Sequence, residues 1–432
     1  MRLITSFLLI AGLSCAAMNA QQPYNTSVND DQIFTAPDSS DNPHTTAEAA
    51  HLKASPGHVA QGIPNIDSLP NFSGHYMVDG VDQNGNSNKK WYYNMVGSLP
   101  QQGGTTTLNA PIVPVIVDLR NGDGTPRFVN GHPLVSDPTQ QFVTTSGGAT
   151  ENLVQATLKS PVFQNYSYTS STVPTQFTDA VQRAEYWNRA KADWHTLLNP
   201  SVKTPRRMIL KKGQYRFALN PDGTCCWYIL ADYGSFGNAF FPSTPTDTTT
   251  PIGAAENAGD ITPQDFSIFL FPNTYLSGSF GCCVLGYHSY DSEPGTPANG
   301  NREKRYVVSY ASWITPGLFG AAFQDVTAVS HEVAEAFNDP FVASDGLHNI
   351  TPFWHAPNGN CQDNLETGDV VEGLPNATFP ITMNGYTYNP QNEALLQYFE
   401  FAQPSDAVNG SYSYPDGTVL TSPSAPQNYA CK

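Results

Sequence analysis

Apolar positions along this chain follow three patterns. Arg2 precedes an apolar run from Leu3 to Leu13, and Ala16-Ala17-Met18-Asn19-Ala20 follows it. The run is too short for a membrane helix, which needs about 20 residues. One positive charge, a short apolar core and a small-residue exit predict an export signal over residues 1–20. Cys15 offers lipid attachment as the alternative, although Gly12-Leu13-Ser14 makes a poor lipobox. From 21 to 88 aliphatic residues thin out and Gln, Asn, Asp, Ser, Thr and Pro take over. Such a segment buries too little surface to offset its chain entropy, so it reads as a flexible polar leader. His44, His51 and His58 recur at sevens within it, which suggests weak metal capture or, as the favoured reading, a solvated polar tract.

The second pattern is the short unbroken apolar run. Pro111-Ile112-Val113-Pro114-Val115-Ile116-Val117 is rich in β-branched residues and predicts a strand buried on both faces. Trp227–Ala231, Ser267–Phe271 and Tyr306–Ser312 predict further strands. The third pattern is helical. Thr178–Leu198 predicts a long helix with Asp179 in its first turn, stopped by Asn199-Pro200. Strands with interposed helices predict one α/β or α+β domain over 89–432, built on a mixed sheet. From about Asn358 onward turn signals dominate and the chain reads as loop-rich.

Charge narrows the class. Charged residues make up 13% of the chain, about half the ~25% of an ordinary soluble protein. Basic residues are the scarcer sign, 20 Lys and Arg against 37 Asp and Glu, a net charge of -17. That field repels phosphates and anionic lipid surfaces, which argues against nucleic-acid and membrane-surface partners. No segment beyond the signal has transmembrane length. Cys225, Cys226, Cys282, Cys283, Cys361 and Cys431 form an even set, which an oxidising compartment turns into disulfides. The expected arrangement bridges the two adjacent pairs to each other and joins Cys361 to Cys431. A four-thiolate zinc site is the alternative, against which the adjacent pairs lack the usual spacer.

The segment richest in chemistry runs from Asp325 to Pro340. Val326, Val329, Val333 and Phe337 recur at helical spacing, and Pro340 ends the helix. His331 and Glu335 then share one face, one turn apart. This is the layout of the His-Glu-X-X-His zinc helix with Glu335 in place of the second histidine. A carboxylate can ligate zinc, and the intervening Glu332 occupies the general-base position. The alternative is a solvated helix face carrying these three side chains. A third ligand must come from elsewhere. Glu366, in Asn360-Cys361-Gln362-Asp363-Asn364-Leu365-Glu366-Thr367-Gly368-Asp369, is the first choice. Asp369, His288 and His355 are the alternatives, and Asp339 is placed to orient a ligand.

Ser330-His331-Glu332-Val333-Ala334-Glu335-Ala336 through Asp339-Pro340, followed by Glu366-X-Gly368-Asp369 beside a cysteine, resembles the Exordium or phosphate-induced protein family and its microbial secreted relatives. Cys283 through Gly286-Tyr287-His288 is similar to that family's Cys-Gly-aromatic-His element, departing from it by the inserted Val284 and Leu285. The resemblance covers roughly residues 265–375. It implies a zincin-like core with the metal-helix roles on His331, Glu332 and Glu335, and an extracellular setting.

These observations together predict a secreted, disulfide-bonded zinc-dependent hydrolase of metallopeptidase type, acting on a peptide or cell-wall substrate. His331, Glu335 and Glu366 hold Zn2+ in this reading and Glu332 is catalytic. The alternative is a non-catalytic extracellular protein that binds cell-wall polysaccharide, or a structural protein whose fold a metal stabilises. No Gly-X-Ser-X-Gly elbow and no Gly-Lys-Ser/Thr phosphate loop occurs in the sequence.

Overall fold

The computed structural model describes residues 65–424, apart from 83–84, 280, 343–350, 353 and 363. The predicted export signal, Cys15, His44, His51, His58, Asp363 and Cys431 lie outside the described residues. A hairpin of β1 (Asn71–Val81) and β2 (Ser87–Val96) comes first. Then follow β3 (Thr105–Arg120), α1 (Leu153–Leu158), α2 (Phe177–Glu185), β4 (His195–Val202), β5 (Arg206–Lys211), β6 (Tyr215–Leu219) and β7 (Cys225–Asp232). After these come α3 (Tyr233–Phe240), α4 (Pro251–Asn257), β8 (Phe266–Pro272), β9 (Thr274–Gly278), β10 (Gly281–Val284), β11 (Gly286–Glu293), β12 (Glu303–Phe319) and α5 (Thr327–Asn338).

The architecture is mixed α/β around one large sheet. Its centre runs β11, β12, β8, β3, with β4 and β5 both pairing along β3. All of these pairs are parallel except β11 with β12. β8 is Phe-Ser-Ile-Phe-Leu-Phe-Pro and is buried throughout. Its alternate side chains serve two cores, as expected of a central parallel strand covered on both faces. Phe269 and Phe271 join a core with α3 and α4, while Phe266, Ile268 and Leu270 join one with α5. The predicted strands at 111–117, 227–231, 267–271 and 306–312 all lie within observed ones.

Helix α5 lies on the second face. Val326, Val329, Val333 and Phe337 pack there with Ile268, Leu270, Val307 and Ala311. After 358 the described chain forms only strands of two or three residues and short helical turns. Among the described residues no helix is long and apolar enough to cross a membrane.

Three expectations need correction. Residues before 89 are not all leader: Ile66–Asp67 pairs with β12, and Phe72 and Tyr76 of β1 bury against Trp91, Trp354 and Phe399. The predicted helix 178–198 ends at Glu185. Asp179 accepts hydrogen bonds from the Thr196 amide at 2.6 Å and pairs with His195 at 2.7 Å, folding the chain back as β4. Pro200 sits within β4, whose one strand neighbour among the described residues is β3, so its missing donor costs no ladder bond on the open side.

The adjacent cysteines do not bridge across. Cys225 bonds to Cys226 and Cys282 to Cys283. The four-stranded second sheet runs β6, β7, β9, β10, so β9 separates the two pairs. Cys282 is level with Ser277, and Ser277 with Asp232, whereas Cys225 starts the same strand that Asp232 ends. At about 3.3 Å per residue that is a gap of roughly 20 Å, against the ~7 Å Cα limit of a disulfide. Cys361 is disulfide-bonded as well.

Candidate metal centre

Strand pleating alternates side chains between faces, and β11 uses this to separate two chemistries. Tyr287 enters the aromatic core on one side, and His288 emerges beneath α5 on the other. Its neighbours on that side are small: Ser309 lies opposite His288, and Ala311 opposite Gly286. Gly286 is required by the helix above it. A Cβ there would stand 2.7 Å from Glu332 Cγ and 2.9 Å from the Tyr310 carbonyl oxygen.

On α5 the one-turn pairing is realised, with His331 Nε2 3.0 Å from Glu335 Oε2. Every residue from Thr327 to Asn338 is buried, which excludes the solvated-face alternative. The loop beyond Cys361 completes the centre. The amides of Gly368 and Asp369 donate to Glu335 Oε1 at 3.0 and 3.2 Å. A Cβ on Gly368 would stand 2.3 Å from His331 Nδ1, so bare backbone lies against the imidazole. Side-chain amides fix this loop from behind. Asn358 and Asn360 donate to the Asp369 carbonyl at 2.7 and 3.0 Å, and Gln391 donates to the Gly368 carbonyl at 2.7 Å.

The charged ends converge. His288 Nδ1 lies 3.5 Å from Glu335 Oε2, 3.7 Å from Glu332 Oε2 and 3.9 Å from Glu366 Oε2. His331 Nε2 lies 3.5 Å from Asp369 Oδ1. Ligand atoms around a tetrahedral zinc with ~2.0–2.1 Å bonds stand about 3.3 Å apart, so these His–carboxylate separations are also compatible with a ligand cage. Three groups could hold a metal ion: His288 with Glu335 and Glu366, His331 with Glu332 and Glu335, and His331 with Asp369 and Glu372. Both oxygens of Glu332 and of Glu366, and Nε2 of His288, are buried without a hydrogen-bond partner. Buried charge of this kind is ordinarily paired or coordinated.

The titration behaviour follows from burial and crowding. Burial pushes the Glu332 carboxyl up to about 7 despite the pull of His288 and His331. Burial first, then the Glu335 charge, raises Glu366 and Asp369 well above the carboxylate range. Glu335 goes the other way: burial opposes its charge, but His331 and His288 outweigh burial and hold it well below the usual range. Burial also disfavours both imidazolium forms. Neighbouring carboxylates win, lifting His288 to about 9 and His331 well above its ordinary value.

The structure thus gathers His331, Glu332, Glu335, Glu366, Asp369 and His288. His355 is exposed in the short strand Trp354–His355 and belongs to none of the three groups. Asp339 is buried at the end of α5, where its amide donates to the Glu335 carbonyl at 2.7 Å and its charge raises Glu366. Sequence reasoning missed Glu372 and Glu393. Glu372 was legible in the every-third-residue recurrence Glu366, Asp369, Glu372. Glu393, fully buried and accepting from the Thr367 hydroxyl at 2.9 Å, carries no local signal. No protein-family model, curated protein or solved structure matches this chain, and the centre is therefore read from its own geometry.

Proposed function

We propose that this chain is an exported zinc-dependent hydrolase of metallopeptidase type with a zincin-like core, its metal held among His288, His331, Glu335 and Glu366. The observation that carries the reading is the meeting of two imidazole nitrogens on one carboxylate oxygen, 3.0 and 3.5 Å from Glu335 Oε2. Among the described residues, Glu332, Glu335 and Glu366 face histidines and no lysine or arginine. A divalent metal supplies Lewis acidity that polarises a carbonyl and acidifies water. Glu332 is the residue to take up the proton, since it adjoins His331 on α5 and both its oxygens are buried without a hydrogen-bond partner. Glu335 holds its position because Oε1 is fixed by two backbone amides. Gly286 provides the room in which Glu332 sits.

The test is metal analysis followed by one substitution. The purified protein is expected to carry zinc, and less than about a tenth of an equivalent after mild purification sinks the reading. Glu332→Gln is expected to retain the metal and to lose hydrolysis of a peptide library by about 100-fold or more. Full activity in that variant removes Glu332 from the mechanism.

A second reading has its own support. His288, His331, Glu332, Glu335, Glu366 and Asp369 are all at most 1% exposed. Such closure suits a metal that stabilises a non-catalytic extracellular fold. Zinc that raises the melting temperature without turnover, together with His331-independent retention on chitin, glucan or peptidoglycan, favours this alternative.

A further inference from the structure

The donors of this centre outnumber what one ion can use. Two of the three groups share no residue, His288 with Glu335 and Glu366, and His331 with Asp369 and Glu372, while the third, His331 with Glu332 and Glu335, overlaps both. Each group contains one imidazole and two carboxylates, and within each the ligand atoms lie within 4.8 Å of one another. We infer that the centre is built for two divalent cations, one in each of the two groups that share no residue, bridged by Glu335. This rests on the metal-centre reading above and extends it from one ion to a pair.

Geometry supports the bridge. Glu335 Oε1 is occupied by the amides of Gly368 and Asp369, so only Oε2 remains to face metal. That oxygen stands between the two imidazoles, 3.5 Å from His288 Nδ1 and 3.0 Å from His331 Nε2. One oxygen so placed can touch both ions of a pair separated by the ~3.5–4 Å usual in two-metal hydrolases. The two imidazoles come from different elements. His331 lies on α5 against the Gly368 backbone, and His288 comes from β11 in the sheet.

Charge supports the count. Glu332, Glu335, Glu366, Asp369, Glu372 and Glu393 are each at most 5% exposed. Once metal displaces their protons the two imidazoles are neutral and the ligating carboxylates ionised, so one divalent ion would offset two carboxylates and two ions four. Glu366 keeps both oxygens, and Glu393 its Oε1, buried without a hydrogen-bond partner. A site completed by one ion and its hydrogen bonds would leave fewer acceptors unmet. The chemistry implied is two-metal hydrolysis, in which one ion holds the attacking oxygen and the other the substrate oxygen.

The experiment is a metal count on full-length protein stripped with a chelator, reloaded with Zn2+, desalted and read by plasma mass spectrometry. Two equivalents are expected for the native sequence. Glu366→Gln and Glu372→Gln are each expected to retain one, and the double substitution none, with near-ultraviolet circular dichroism confirming that each variant folds. One equivalent in the folded native protein overturns the pair and leaves the single-zinc reading standing, whereas none overturns both. Loading with Mn2+ gives a second readout that needs no substitution. An exchange-coupled electron paramagnetic resonance spectrum at two equivalents supports the bridge, and two uncoupled ions overturn it.

Discussion

The two faces of β11 and β12 are equally dry and chemically opposite. On one, Tyr287 and Tyr310 meet Phe236, Phe240 and Phe271, with ring centroids from 4.7 to 6.4 Å apart. Such pairs each add about 0.5–1.5 kcal/mol beyond area burial. On the other, one residue away on each strand, His288 lies beside three glutamates with Ser309 opposite it. The aromatic face is finished when water leaves. The charged face is not, because an ion withdrawn from water costs several kcal/mol until a counter-charge arrives. Burial alone therefore does not measure stability, and a shift of one residue in register would exchange the two outcomes.

The largest expected effect comes from damaging the aromatic face alone. Phe240→Ala should cost about 3–5 kcal/mol in urea unfolding, with the zinc content unchanged. Loss of metal in that folded variant would break the independence of the two faces. Next is a carboxylate stabilised by hydrogen bonds instead of histidines. Burial pushes Asp325 up to about 7, against the opposing hydrogen bonds from Asn389 and Val326. Its folded value exceeds its unfolded one, so its contribution is complete below about pH 4 and is lost as pH rises toward 7. Urea midpoints should show the native protein losing about 2–4 kcal/mol more than Asp325→Asn across that window. Parallel profiles would remove Asp325 as the cause.

Gly368→Ala probes the charged face through its backbone. Its new Cβ must displace the His331 ring, at about 1–3 kcal/mol and a 10–100-fold weaker zinc affinity. An unaltered affinity by competitive chelator titration would show that His331 is not held for metal. The smallest effect belongs to the adjacent disulfides. Converting Cys225 and Cys226 to serine opens a link of sequence separation 1, so the loop entropy lost is worth about 1 kcal/mol. Thermal melts should barely shift, and a collapse would give that link a role beyond chain entropy.

Sequence periodicity located what repeats and missed what closes in space. The central strands were legible because burial on both faces leaves an unbroken apolar run, as in Phe266–Pro272. Helix α5 was legible from the valine spacing and Pro340. The sequence pattern overextends helix α2 because Asn199-Pro200 reads as a stop, whereas the real stop is tertiary, Asp179 accepting from the Thr196 amide. The disulfide exchange was invisible because strand order, not spacing, keeps the cysteine pairs apart. His331, Glu332 and Glu335 were readable from one helix. His288 needed the pleat of β11 to show which way it points, and Glu393 needed the whole fold.

In the proposed metal centre, the hydrogen bonds on Glu335 would decide which ions are preferred. Most carboxylate ligands can rock between one-oxygen and two-oxygen grips as ions of different radius pass through. Glu335 cannot, because the Gly368 and Asp369 amides hold one of its oxygens at 3.0 and 3.2 Å. Calcium, which gathers six to eight oxygens at about 2.3–2.6 Å and favours two-oxygen grips, finds a stiff and nitrogen-containing cage. A small ion content with one oxygen and one imidazole finds its shell already drawn. Selectivity in the proposed centre would then be a property of a backbone turn more than of the metal-facing side chains.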